Sequence, residues 1–453
     1  MGWPWLKRIF LKPAPTQDRF MGMTRLSWIL PIVFALPLTA REAPTLPPEL
    51  SDYVLDSAPE AKEPLLRKGD RLAIIGDSIT EQKRYSVIVE TYITGCLPEL
   101  EISVRQYGWS GEQAGGFIKR MENDVLRFKP TIATSCYGMN DFRYVPFDPK
   151  IAEEYRKNQT TIVQAFKKAG SRFVVGSPGI IDSVPHWVKT ASGTKKDLNL
   201  SLSKFRNVAL EVAKAENVGF ADVYQPMLIA NQVAQKKYGG TFMVAGKDGV
   251  HPLWAGHTIM AYAFLKGLGV DGDLGTITYD EASGKAIAVN GHEVLSSGDG
   301  KVTIRSTKLP FSSALKELNS DDSITAARAL IPFDDELNRL TLKLNKPKAA
   351  AYDVTWGEST KRYTAAELTT GVNLAKDFPV HPLSAPFRKI WEAVTDKQTY
   401  ETEQIKKLVH GADGKADMEG TFEKTEKVRA EKVAAIAAAR QPVEHSVLIK
   451  AAD

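Results

Sequence analysis

The sequence predicts an α/β domain with a mainly parallel sheet, followed by a β-rich module and a helical end. Three observations carry this reading. Between Lys68 and Gly272, short apolar runs that stop at glycine alternate with stretches of helical periodicity, the pattern of strand–helix–strand crossovers with helices on both faces of a sheet. After Gly272 short runs are separated by Gly-, Ser- and Asp-containing turns, which read as hairpins. From about Phe387, charged and Ala-rich helical stretches take over.

The 453 residues are enough for more than one domain. With 43% hydrophobic and 25% charged residues the composition is that of a globular protein, and disorder throughout is excluded. A net charge of +5, spread along the chain, gives no basic patch for nucleic acid. The two cysteines, Cys96 and Cys136, form neither a disulfide framework nor a metal-ligand spacing.

Residues 1–40 read as a signal peptide or N-terminal anchor. Arg25 precedes the apolar run Leu26–Leu38, and Thr39-Ala40 supply small residues for cleavage. The run is short and holds Pro31 and Pro37, so no stable membrane span is expected after cleavage. A start at Met21 or Met23 would remove the unusual basic lead. The expected location is secreted or periplasmic. Residues 41–67, rich in Pro, Glu and Ala, read as an extended linker.

The domain proper is expected over 68–272. Leu72-Ala73-Ile74-Ile75, ended by Gly76, suits a strand buried on both faces. Strands follow at 102–106, 132–137, 173–175 and 218–223. Helices are expected near 84–94, 112–128, 153–168, 201–215 and 254–268. A β-rich module is expected over 273–385, where Arg339–Leu344 alternates strictly between apolar and polar. Residues 386–453 are expected to be helical.

Four stretches at strand ends or before a helix supply complementary chemistry. Gly76-Asp77-Ser78 offers a hydroxyl, although Ser78-Ile79-Thr80-Glu81 is also a capping box that would start a helix. Serine is a poor nucleophile until a base takes its proton. His251 can be that base, and Asp248, three residues earlier, can fix its tautomer. A tetrahedral oxyanion needs preorganised donors, for which the Ser78 and Gly108 N–H groups and the Asn140 amide are candidates. Singly, each stretch has a dull explanation in turn or capping chemistry.

Together and in this order, Gly76-Asp77-Ser78, Gly108, Gly138-Met139-Asn140-Asp141 and Asp248-Gly249-Val250-His251 resemble the blocks of the SGNH (GDSL-type) hydrolases. The resemblance covers roughly 68–272. It implies a flavodoxin-like three-layer α/β/α fold and ester hydrolysis, with Ser78 as nucleophile, His251 as base and Asp248 as its orienter. Ser78, Gly108 and Asn140 would form the oxyanion hole, and no metal or organic cofactor is implied. Ile79 stands where leucine is usual and Gln106 where asparagine is frequent, the latter touching only a supporting contact. No G-x-S-x-G elbow surrounds Ser78, which disfavours a lipase-type α/β-hydrolase.

Trp109, Phe142, Tyr144 and Trp187 are the candidate substrate contacts, with Tyr137 and His186 nearby. An exported enzyme with a β-rich addition points to a small-molecule or polysaccharide ester, most simply an acetylated carbohydrate. The rivals are a lysophospholipase, lipase or thioesterase of the same family, and a non-catalytic exported glycan-binding protein. The sequence leaves the oligomeric state open.

Overall fold

Strands β1 (Arg71–Gly76), β2 (Ser103–Gln106), β3 (Ile132–Cys136), β4 (Arg172–Gly176) and β5 (Gly219–Ala221) form one sheet in the order β2-β1-β3-β4-β5. Every neighbouring pair is parallel. This is the doubly wound order in which the chain turns back between β1 and β3, opening a crevice at their carboxyl ends. The computed structural model describes residues 46–59, 63–313 and 318–452; the leader read over 1–40 lies outside them.

The centre of the sheet is dry because its sequence carries little to hydrate. Leu72 to Ile75 on β1 and Ile132 and Ala133 on β3 are buried. Helices Tyr85–Cys96 and Trp254–Gly267 pack on each other, as do Pro149–Lys168 and Lys195–Glu216, and these pairs flank the sheet. Tyr85 anchors the first pair: its ring stacks 5.2 Å from Phe264 and its hydroxyl lies 2.8 Å from Thr80 Oγ1. Residues 46–59 are not a free spacer. Asn207 Nδ2 donates to Val54 O at 3.0 Å, and Arg206 Nη1 donates to Asp56 O at 2.6 Å, tying them to the Lys195–Glu216 helix.

Two further sheets follow. One has β6 (Asp273–Asp280), β7 (Lys285–Ala288), β10 (Arg339–Asn345) and β13 (Val372–Asn373) in the order β13-β10-β6-β7. The other, entirely antiparallel, is β12 (Ser359–Thr364), β11 (Ala351–Trp356), β14 (Val443–Ala451), β9 (Lys301–Ser306) and β8 (His292–Gly298). Leu340, Leu342 and Leu344 are all buried, as strict alternation requires. Strand β14 corrects the expectation of helix throughout 386–453. His445, Val447 and Ile449 alternate inward, and the strand lies between β9 and β11 at the middle of its sheet.

The C-terminal helices close the open edge of the parallel sheet. Beside β2, Val104 O accepts from Lys397 Nζ at 2.7 Å and from Arg429 Nη2 at 3.0 Å, while Gln106 N donates to Glu401 Oε2 at 3.1 Å. Side chains from helices Ser384–Glu403 and Met418–Ala439 thus take the place of a sixth strand and satisfy an edge that would otherwise invite pairing.

Candidate active site

The crevice gathers residues from three strand ends and the loop before one helix. Ser78 follows β1, Gly108 follows β2, Asn140 follows β3, and Asp248 and His251 precede the helix Trp254–Gly267. Ser78 Oγ lies 2.9 Å from His251 Nε2, and His251 Nδ1 lies 2.7 Å from Asp248 Oδ2. The carboxylate accepts from the Nδ1–H, which leaves the Nε2 lone pair facing the serine hydroxyl.

Asp248 is held by its own turn. Its Oδ1 accepts from Val250 N at 2.9 Å and His251 N at 2.8 Å. Partial burial pushes its pKa up, but these amides and the imidazole outweigh it, and the carboxyl titrates below its usual range. The turn needs Gly249, with φ of +84°; a Cβ there would collide with Ser183.

The expected capping box does not form, and the cap falls one residue earlier. Asp77, not Ser78, is the N-cap: its Oδ1 accepts from Ile79 N at 3.0 Å. Ser78 is the first residue of a single helical turn, Ser78–Glu81, so its hydroxyl is released to His251. Asp77 does not serve the imidazole. It is buried, and that burial raises its pKa to about 7. His257 is also structural. Its Nδ1 accepts from Tyr85 N at 3.2 Å, Gln82 Oε1 lies 2.7 Å from its Nε2, and burial drives its pKa well down.

The three candidate oxyanion donors differ. The Ser78 N–H sits in the first turn of its helix, where no intrahelical acceptor exists. Asn140 Nδ2 donates to Glu112 O at 3.1 Å, and its Oδ1 accepts from the Tyr144 hydroxyl at 3.3 Å. The Gly108 N–H is taken by Gln106 Oε1, whose own amide donates to Thr402 Oγ1 at 2.8 Å. Gln106 is therefore more than a neutral replacement for asparagine, because it occupies the donor it stands beside. Gly108 must be glycine, since a Cβ would strike the backbone of Thr80 and Glu81.

Beneath Asn140, Asp141 pins the loop by accepting from Gly138 N at 2.9 Å and Ala114 N at 2.9 Å. Burial raises its pKa to about 6. Glu112, which offers its carbonyl to Asn140, is locked by Arg120 at 2.7 Å and by the Tyr137 hydroxyl at 2.7 Å.

The aromatic candidates divide. Trp187 is 41% exposed and stacks on the imidazole of His251, centroids 5.8 Å apart. Tyr144 is nearly buried and reaches the site through Asn140. Phe142, 1% exposed, packs between Tyr144 and Phe205 and offers no surface to a substrate. Trp109 is held between Arg120 and Lys406, each 5.0 Å from its ring centre, with His410 edge-on at 5.1 Å. Phe142 is thus a packing anchor, and Trp109, half-buried, is fixed in place by these three neighbours. Sequence patterns also missed Arg84, which lies 5.5 Å over Trp254 and donates to Pro252 O at 3.2 Å, steadying the segment after His251; nothing in its local pattern marks it.

A hydroxyl–imidazole–carboxylate relay at the switch point of a doubly wound parallel sheet, with its serine after the first strand, is the arrangement of a candidate hydrolase site. Residues 74–259 match the GDSL-like lipase/acylhydrolase family, and the chain carries a domain of that family, a hydrolase of ester bonds. The chain is 28% identical over 225 residues to an acetylxylan esterase from Geobacillus stearothermophilus, covering 45% of this chain and 95% of that protein. A gut microbial diltiazem-metabolizing enzyme has the same fold over 88% of this chain and 99% of its own, with a TM-score of 0.66 and 21% identity. Among the described residues no helix is long and apolar enough to cross a membrane.

Proposed function

We propose that the protein is an exported serine esterase that removes acetyl groups from carbohydrate, with Ser78, His251 and Asp248 as its triad. The single observation that carries this reading is the continuous relay from Ser78 Oγ through His251 to Asp248, at 2.9 and 2.7 Å. Ser78 attacks the ester carbonyl, and His251 takes the hydroxyl proton and passes it to the leaving sugar oxygen. Asp248 stabilises the imidazolium, and water then releases acetate by the same base in reverse. The Ser78 N–H and the Asn140 amide face the developing oxyanion; the fixed Gly108 N–H joins them when the Gln106 side chain lets it go.

The acetyl and carbohydrate parts of the reading are supported by the acetylxylan esterase likeness. The exposed Trp187 beside His251 adds a flat apolar face of the kind that stacks on a sugar ring. The Arg25 flank and the apolar Leu26–Leu38 run support export, which N-terminal sequencing of the mature protein tests.

The deciding experiment is an ester panel run with wild type and Ser78→Ala. It includes acetylated xylan, p-nitrophenyl acetate and long-chain p-nitrophenyl esters. Acetate release from xylan should vanish in Ser78→Ala while the melting temperature holds. Turnover that survives the substitution refutes the triad. Faster cleavage of long-chain esters refutes the acetyl assignment.

A further inference from the structure

We propose that Glu81 and Lys406 are a positioning pair for the Gly108–Ser110 loop, so that the C-terminal region completes the catalytic centre. This rests on the esterase reading of that centre. Glu81 ends the one-turn helix that Ser78 begins, and its carboxylate accepts from Ser110 N. Lys406 Nζ bonds both oxygens of the same carboxylate, at 2.8 and 2.9 Å. The ammonium also lies 5.0 Å from the ring centre of Trp109, the residue between Gly108 and Ser110. One lysine, 325 residues away in sequence, therefore holds the turn that carries Ser78 and the loop that carries Gly108.

Three features make this more than a surface ion pair. Both partners are mostly shielded, with side chains 26% and 19% exposed. The grip is repeated along the loop. Thr402 and Glu401 hold Gln106. His410 meets the Trp109 ring and lies 2.9 Å from Asp124, which in turn pairs with Arg120. Lys406 itself lies in a π-helical turn, Gln404–Val409, a wide and uncommon backbone form that is frequent at functional sites. Here it brings Lys406 and His410 to the same ring.

An oxyanion donor acts only if it is fixed before the reaction begins. Trp109 N donates to Gly76 O at 3.0 Å, which ties the loop on its β1 side. The Glu81–Lys406 pair ties the other side. Releasing that side lets the Gly108 N–H and the Ser78 turn move independently.

The test uses the full chain with Lys406→Met, which keeps the aliphatic stem, and Lys406→Arg, which keeps the charge. On p-nitrophenyl acetate, Lys406→Met should lower kcat about tenfold with KM within about twofold. Lys406→Arg should recover most of that loss. Hydrogen exchange should rise in the peptide containing Ser110 and nowhere in the β-rich sheets. An unchanged kcat in Lys406→Met overturns the proposal. So does a loss shared by kcat, KM and melting temperature that Lys406→Arg fails to restore. Labelling of Ser78 by an organophosphate needs no turnover and separates this proposal from the esterase reading. If wild type is labelled yet cleaves no ester, that reading fails, and slower labelling in Lys406→Met still upholds the pair. If wild type is neither labelled nor active, both fall.

Discussion

Lys397→Met is expected to be among the most damaging single changes outside the catalytic crevice. Lys397 is 1% exposed, and its ammonium lies 2.8 Å from Glu401 Oε1 and 3.1 Å from Glu90 Oε1, on side chains that are themselves 0% and 4% exposed. It also donates to Val104 O on the edge strand. Methionine fills the space but leaves two buried carboxylates with less compensation. Breaking a buried pair this way costs about 3–5 kcal/mol. At roughly 2.1 cal/mol/K per residue over some 400 residues, a loss of ~4 kcal/mol lowers the melting temperature by about 5 °C. The cost should depend on pH with a definite sign. Burial raises the Glu90 pKa, whereas at Glu401 burial is outweighed by Lys397, Arg429 and Arg105, which hold its pKa below the usual range; without Lys397 both carboxyls move up in the folded state while their unfolded values stay put. The folded variant then binds more protons than the folded wild type while the unfolded chains bind alike at these carboxyls, so its deficit shrinks as pH falls toward 5. Thermal melts of wild type and variant at pH 8 and pH 5 read this directly. A deficit under about 1 °C at pH 8, or one that widens on acidification, refutes the reasoning.

Two other expectations concern the site and the β-rich sheets. Trp187→Ala should lower kcat/KM about tenfold on acetylated xylan and only about two- to threefold on p-nitrophenyl acetate, because the lost ring face matters more to a sugar than to a small aryl ester; equal losses on both substrates count against a sugar-stacking role. Burial drives His381 down to about 3 and His445 down to about 4, with Arg328 and His292 adding to it. Each is therefore neutral when folded at pH 5 but protonated when unfolded, which costs about 2 kcal/mol per histidine relative to pH 7. Urea melts should show stability falling as pH drops from about 6.5 toward 4, and His445→Gln should flatten that slope.

Much of the candidate site's geometry was legible because its parts are local and stand at strand ends or just before a helix. Ser78 after β1 and the Asp248–His251 turn each declare themselves within a few residues, and the relay distances bring them together. The flavodoxin-like order followed from the resemblance that those blocks carry, and the alternating pattern supports it. What escaped was decided by contacts far apart in sequence. Nothing near Lys406 marks it as the partner of Glu81, and nothing near Thr402 shows that it orients Gln106. Asp77 and Ser78 compete for one cap, and only the backbone at Asp77 settles which side chain bonds Ile79 N. The aromatics could not be sorted by type, since Phe142 and Trp187 sit in similar loops and differ only in what covers them. Strand β14 was hidden by the long Ala-rich helix before it, although Val443, His445, Val447 and Ile449 do alternate.

The position of that strand bears on how the molecule is made. During synthesis β9 and β11 emerge well before β14, yet both pair with it and not with each other. Until residues 443–451 leave the ribosome, each presents an unpaired border that can recruit a neighbouring nascent chain. The Ser384–Glu403 and Met418–Ala439 helices, which guard β2, and the Gln404–Val409 turn that carries Lys406 are synthesised in the same interval. Closure of the β-rich half and completion of the candidate centre therefore fall together at a late stage of synthesis, and a ribosome-stalled chain lacking 443–451 is expected to be both inactive and aggregation-prone.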